Sequence, residues 1–282
     1  MTGLVLEGGG MRGLFTAGVL DVLDENGIAV DGVVGVSAGA LFGCNFLSHQ
    51  AGRAIRYNVR FKDDSRYMGF RSFVTTGNYI NAEFAYHTVP LELDVFDDEA
   101  FKRNPAKFYL VCTDIETGKP VYRLIDSVND NTLEWFRATG SMPIISRPVC
   151  VDGYHLLDGG MVDCIPLAHF QSIGYERNLV ILTQPEGYRK KPNHLSALCR
   201  LAHPKHPKVA EVMKVRHELY NGQLEYVAQQ EKMGKTLVIR PDEALKIGRT
   251  ELTEEKMRWV YECGRKKAML LLDDIKKFLS YC

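Results

Sequence analysis

The sequence predicts an α/β fold, a three-layer sandwich on a mainly parallel central sheet, with a mainly helical C-terminal extension. Three observations predict it. Two short apolar runs near the start each lead through small residues into a segment of helical periodicity, the strand, turn, helix order that builds parallel sheets. Further β-rich runs follow as far as Pro185. Beyond that residue the apolar positions fall mostly at helical spacing.

Taken in order, residues 4–6 form a short apolar run between glycines, read as a first strand. Residues 13–26 then repeat Leu14, Ala17, Val19, Leu20 and Leu23 at helical spacing, and Gly27 is placed to cap the helix end. Residues 33–36 read as a second buried strand and residues 38–47 as a second helix. β-rich runs cover residues 108–114, 121–125, 149–157 and 179–183, with a helix over 131–138. The string Gly187-Tyr188-Arg189-Lys190-Lys191-Pro192 is polar and rich in breakers, which predicts a boundary between a domain at 1–185 and an extension at 186–282. In the extension, helices are expected over 207–234 and 253–279, with a strand at 236–240 ending at Pro241.

The 282 residues suit one large domain or one domain with an appendage, and their balance of apolar and charged residues excludes disorder and fibrous repeats. The cysteines Cys44, Cys112, Cys150, Cys164, Cys199, Cys263 and Cys282 are odd in number and include no C-x-x-C pair. A reducing, cytoplasmic setting is therefore expected. The opening Met1-Thr2-Gly3-Leu4-Val5-Leu6-Glu7 has no basic region, so no signal peptide is expected. Residues 32–52 lack Asp, Glu, Lys and Arg over nearly a bilayer's length, yet hold Asn45, His49, Gln50 and interior glycines. A strand followed by a helix fits them better than a membrane span.

Net charge is zero, and no nucleic-acid partner is expected. The charge is unevenly spread: residues 1–186 carry an excess of eight acidic groups and the remainder the matching basic excess. Two readings stay open for that basic tail, approach to an anionic membrane surface or a solvated helical face.

Gly35-Val36-Ser37-Ala38-Gly39 has the G-x-S-x-G form and falls between a predicted strand and a predicted helix, the setting that gives the motif meaning. Such an elbow lifts Ser37 off the sheet as a nucleophile. It also aims the N–H groups of a helix N-terminus at developing negative charge. Gly8-Gly9-Gly10-Met11-Arg12-Gly13 follows the first strand, and a glycine-rich loop there can hold an oxyanion. The same loop also fits G-x-G-x-x-G, the dinucleotide fingerprint. That fingerprint requires an acidic residue after the second strand, whereas Asp31 precedes it. Dinucleotide binding and a catalytically silent lipid-binding scaffold stand as the alternatives to an acyl hydrolase.

A serine nucleophile needs a base. The later histidines, His155, His169, His194, His203, His206 and His217, sit in no recognisable motif, and His203-Pro204-Lys205-His206 has no neighbouring carboxylate or cysteine to make a metal site. Asp158, in Leu157-Asp158-Gly159-Gly160 at the end of a β-rich run, is by composition alone a turn residue. Tyr67, Phe70, Phe73, Tyr79, Phe84 and Tyr86 form an aromatic stretch that either lines an acyl pocket or packs a core. Arg12 either meets a phosphate headgroup or packs its stem.

The glycine loop, the Ser37 elbow and Asp158-Gly159-Gly160, in this order, resemble the patatin-like phospholipase family, as does Ala138-Thr139-Gly140-Ser141-Met142-Pro143. The resemblance covers about the first 185 residues. It implies a lipid acyl hydrolase without cofactor or metal, in which Ser37 attacks an acyl ester and Asp158 accepts its proton without a histidine. It further implies an oxyanion hole from the backbone N–H groups of Gly8, Gly9, Gly10 and Ala38. The chain departs from the family pattern at Asp163-Cys164-Ile165-Pro166, where an asparagine is usual in place of Cys164. The tail resembles extensions of bacterial patatin-like proteins.

Overall fold

The computed structural model describes residues 1–192 and 195–280, so His194 and Cys282 lie outside the described residues. Strand β1 (Thr2–Leu6) leads into helix α1 (Gly13–Glu25), and β2 (Gly32–Val36) leads into α2 (Ala38–Leu47). Gly27 has φ +65° just past α1, as a helix-ending glycine requires. Three short helices follow, α3 (Arg53–Arg60), α4 (Phe70–Thr76) and α5 (Asp98–Arg103), with a π-helical segment (Phe84–Leu93) between the last two. Then come β3 (Lys107–Asp114), β4 (Lys119–Ile125), α6 (Asp130–Thr139), β5 (Val149–Val151), β6 (Tyr154–Asp158), α7 (Leu167–Ser172) and β7 (Arg177–Ile181). The chain continues through α8 (Leu195–Ala202), α9 (Pro207–Lys232), β8 (Thr236–Ile239), α10 (Glu254–Leu270) and α11 (Leu272–Ser280).

The eight strands form one sheet in the order β5-β6-β3-β2-β1-β7-β8, with β4 also paired to β3. Its centre is parallel, β3-β2-β1-β7-β8, and β4, β5 and β6 are antiparallel additions. Every residue of β1 and β2 is buried, as expected of parallel strands covered on both faces. Alternation along β1 divides the core: Leu4 and Leu6 join the cluster under α1, α2 and α10, and Val5 joins the cluster under α7 and α9. These are the three expected layers.

Two expectations are refined. The run at 149–157 is a hairpin of two strands, turned at Asp152 (φ +47°) and Gly153 (φ +80°), the Asp-Gly chemistry of a tight turn. The helix expected over 253–279 is divided between α10 and α11.

The residues after Pro185 build onto this sheet. Strand β8 pairs with β7 in parallel. Helix α10 crosses α1 so closely that a Cβ on Gly18 would strike the Tyr261 carbonyl, and one on Gly264 the Phe15 carbonyl. Tyr261 donates to Asp21 at 2.5 Å and Arg265 pairs with Glu25 at 2.8 Å along the same seam.

Candidate active site

Ser37 stands between β2 and α2 at φ 53°, ψ −127°, a conformation that costs a non-glycine residue about 1–3 kcal/mol. The sequence accommodates this turn with glycine at Gly35, where a Cβ would come within 2.6 Å of the Ala40 backbone. Gly8, Gly13 and Gly39 let the first loop and the two helices seat together: Cβ atoms there would meet the Val36 carbonyl oxygen, the Ala38 Cβ and the Leu6 carbonyl oxygen at 2.9, 2.8 and 2.6 Å. Ser37 is held from below by Thr139, whose Oγ1 accepts from the Ser37 N–H at 2.9 Å and donates to the Val111 carbonyl at 2.6 Å.

The Ser37 hydroxyl donates to Asp158 Oδ2 at 2.7 Å. The other carboxylate oxygen accepts from the Gly160 N–H at 2.7 Å, so the glycines after Asp158 fix its orientation. Gly159 packs on the Val111 carbonyl, and the Asp158 N–H donates to Ser141 at 2.8 Å. Burial pushes the Asp158 carboxyl above the ordinary carboxylate range, against the hydrogen bonds from Ser37 and Gly160 and the attraction of Arg216 and Arg249.

The N–H groups of Gly8, Gly9, Gly10 and Ala38 have no acceptor among the described residues. Gly10 has φ +59°, and a side chain there would strike the Arg249 carbonyl, which accepts from the Met11 N–H at 3.0 Å.

Two chambers meet at Ser37. One, of about 130 Å³, is walled by apolar and aromatic side chains including Phe42, Tyr57, Tyr67, Tyr86 and Phe136. The other, of about 240 Å³, holds Glu7, Asp158, Arg12, Lys190, Arg216 and Arg249 beside the glycine loop. The aromatic stretch therefore divides its duties: Tyr67 and Tyr86 line the apolar chamber, Phe84 packs against Phe61, and Phe70 is exposed.

No histidine lines either chamber among the described residues. His155 pairs with Glu116, His169 stacks on Tyr122, and buried His203 contacts the Pro143 carbonyl. His206 also meets Glu116, and His217 faces Glu218. Asp31, the candidate ribose ligand, accepts from Thr2 at the start of β1. The glycine loop leaves the opposite end of that strand, so the two halves of the dinucleotide fingerprint are a strand apart.

The sequence profile described as patatin-like phospholipase matches residues 4–170. The chain belongs to that family. Among patatin-like relatives, lysophospholipase nte1 of Aspergillus oryzae is 29% identical over 177 residues, 61% of this chain and 11% of that protein. The uncharacterized protein YjjU of Escherichia coli is 31% identical over 186 residues, 64% of this chain and 52% of that one. The chain thus spans about a tenth of the fungal relative and about half of the bacterial one. In fold it is similar to VipD from Legionella pneumophila, with a TM-score of 0.50 at 13% identity, covering 97% of this chain and 67% of VipD. Residues 206–280 match a domain of unknown function (DUF6363).

Outside the patatin-like match, the tail contributes side chains that sequence patterns did not single out. Arg216 on α9 donates to the Gly160 carbonyl at 2.6 Å, behind the residue that holds Asp158. The Cys164 thiol donates to the same carbonyl at 2.9 Å, so this departure from the patatin-like pattern reaches Asp158 through Gly160. Tyr220 on α9 donates to buried Glu7 at 2.6 Å, tying the tail to the residue before the glycine loop. These contacts link residues more than fifty positions apart, and no local spacing signals them.

Proposed function

We propose that this protein is a carboxylic ester hydrolase of lipids, with Ser37 as nucleophile and Asp158 as its base. The observation that carries the reading is the 2.7 Å hydrogen bond from the Ser37 hydroxyl to the buried Asp158 carboxylate. No histidine lines the chambers there among the described residues. An aspartate is a weak base in water, and the burial that raises its pKa improves it.

In the first step Ser37 Oγ bonds to the ester carbonyl carbon as its proton passes to Asp158 Oδ2. The negative charge on the carbonyl oxygen is met by the free N–H groups of the glycine loop and Ala38. Collapse of the tetrahedral species breaks the ester C–O bond, and the leaving alkoxide takes the proton from Asp158. In the second step water attacks the acyl-serine, gives a proton to Asp158, and Ser37 leaves by recovering it. The apolar chamber is suited to the acyl chain.

Reaction with a fluorophosphonate and turnover of a chromogenic acyl ester test the reading together. Wild-type protein should do both and Ser37→Ala neither. Labelling that persists in Ser37→Ala would sink the assignment, and lipid binding without turnover would identify a silent scaffold.

A further inference from the structure

Several basic side chains of the tail are paired with carboxylates of the tail itself on its surface: Arg189 with Glu225, Lys256 with Glu251, Arg258 with Glu254, and Lys267 with Asp242. Lys190, Arg216 and Arg249 behave differently. They turn into the chamber beside Ser37, where Arg12 of the glycine loop joins them. Among the described residues none of these four cations forms an ion pair with a carboxylate. The Arg12 Nε is buried without a hydrogen-bond partner. Lys190 rests over the Tyr220 ring, 4.0 Å from its centre, and Arg216 spends its Nε on a carbonyl. Partial desolvation and mutual repulsion hold Lys190 down to about 8 and pull Arg249 below its ordinary value.

Arg12, Lys190 and Arg216 are half-buried and Arg249 is exposed at the rim, and like charges drawn together and partly withdrawn from water are costly unless an opposite charge joins them. A cluster of four so arranged along one chamber favours an anion. Its charge can be read from the chamber. Four cations face two carboxylates, Asp158 and Glu7, and Glu7 is committed to Tyr220 and to the Thr183 N–H. The surplus is two positive charges, which a phosphomonoester carrying close to two negative charges at neutral pH balances. A quaternary ammonium wants a carboxylate or an open aromatic face, and here Glu7 is engaged and Tyr220 is covered by Lys190.

Resting on the hydrolase reading above, we propose that this chamber is a headgroup subsite for a phosphomonoester dianion. The substrate class is then a lipid bearing a terminal phosphate, its acyl chain in the apolar chamber and its ester at Ser37. The tail supplies three of the four cations and so sets the headgroup preference.

Three monoacyl substrates with one acyl chain test this: a lysolipid with a terminal phosphate, its choline phosphodiester, and the neutral monoacylglycerol. Wild-type kcat/KM should favour the phosphomonoester at least tenfold over the neutral ester. That ratio should fall at least tenfold in Arg249→Gln and in Lys190→Gln, and recover in part in Arg249→Lys. Calorimetric titration with inorganic phosphate gives a second readout that needs no turnover, with affinity at least fivefold weaker in Arg249→Gln than in wild type. Phosphate binding in a protein that hydrolyses no ester would sink the hydrolase reading and leave the subsite standing. Equal kcat/KM on all three lipids with no phosphate binding would overturn the subsite. Phosphate binding without lipid selectivity would assign the chamber to free phosphate and overturn its headgroup role.

Discussion

Ser37 and Asp158, 121 residues apart in sequence, meet at 2.7 Å because the strands that carry them abut on a single edge of β3. Strand β2 runs up that edge in parallel until Val36 pairs with Val111. Strand β6 comes down it antiparallel until Asp158 pairs with Cys112, the next residue. The opposite edge of β3 is occupied throughout by β4. Two consecutive residues of β3 thus fix Ser37 and Asp158 side by side.

Asp158→Asn should lower kcat on an acyl ester by about 10²–10⁴-fold, the usual contribution of a positioned base. It should also raise stability, on the order of 1 kcal/mol, as removal of an active-site strain commonly does. The sign follows from the raised pKa: ionisation is penalised in the folded state, so stability is greatest below the unfolded value and declines as pH rises through the folded one. Urea denaturation at neutral pH checks the gain and steady-state kinetics the loss.

The acid limb of the kcat/KM profile should lie above the ordinary aspartate value of 3.8, because Asp158 must be ionised to accept the proton and burial raises its pKa. A pH–rate profile on a neutral ester locates it. A limb at or below 3.8 would exclude Asp158 as the base.

Thr139→Val removes the hydroxyl that joins the Ser37 N–H to the Val111 carbonyl and leaves both without that partner. A loss of about 1–3 kcal/mol is expected from the unsatisfied groups, together with a fall in kcat as the elbow loses its support. Thr139→Ser keeps the hydroxyl and should recover most of both, measured by thermal melting and ester turnover.

Gly18→Ala should cost about 1–3 kcal/mol or more, since the methyl group would overpack the α1–α10 seam against the Tyr261 carbonyl. Gly222→Ala, in α9 with open space around it, should stabilise by up to about 1 kcal/mol through helix propensity. Opposite shifts in melting temperature are the expected result. A neutral Gly18→Ala would mean that α10 is not docked on α1.

Phosphate affinity should decline at least threefold as pH rises through about 8, where Lys190 gives up its proton. The groups facing Lys190 are Arg216 and Arg249, which disfavour its charge, and Cys164 and Glu7, which favour it. Lys190→Gln should remove that step in a calorimetric titration series while the arginines sustain weaker binding.

Local chemistry made several parts of this protein readable from sequence. Glycines at 8–10, 13, 35 and 39 around a serine, between apolar runs and helical periodicity, specify strand, turn and helix without reference to the rest of the chain. The elbow at Ser37 and the loop at Gly8, Gly9 and Gly10 therefore stood out. Asp158 did not: by composition it is a turn residue, and only the resemblance pointed to it. Its place beside Ser37 depends on strand register along β3, a long-range property that no spacing within β6 encodes.

The sequence by itself determined the α/β class, the strand–turn–helix elbow at Ser37 and the family, because these rest on short patterns of backbone permissiveness and hydrophobic period. Tertiary structure decided the partner of Ser37 and the use of the basic tail. Whether a lysine or arginine is neutralised on the surface or left unpaired in a chamber depends on where its helix docks. Here the fit of Gly18 and Gly264 and the Glu7–Tyr220 hydrogen bond carry Lys190, Arg216 and Arg249 to the glycine loop. Long-range packing sets that outcome, so a linear charge count could record the excess but not its destination.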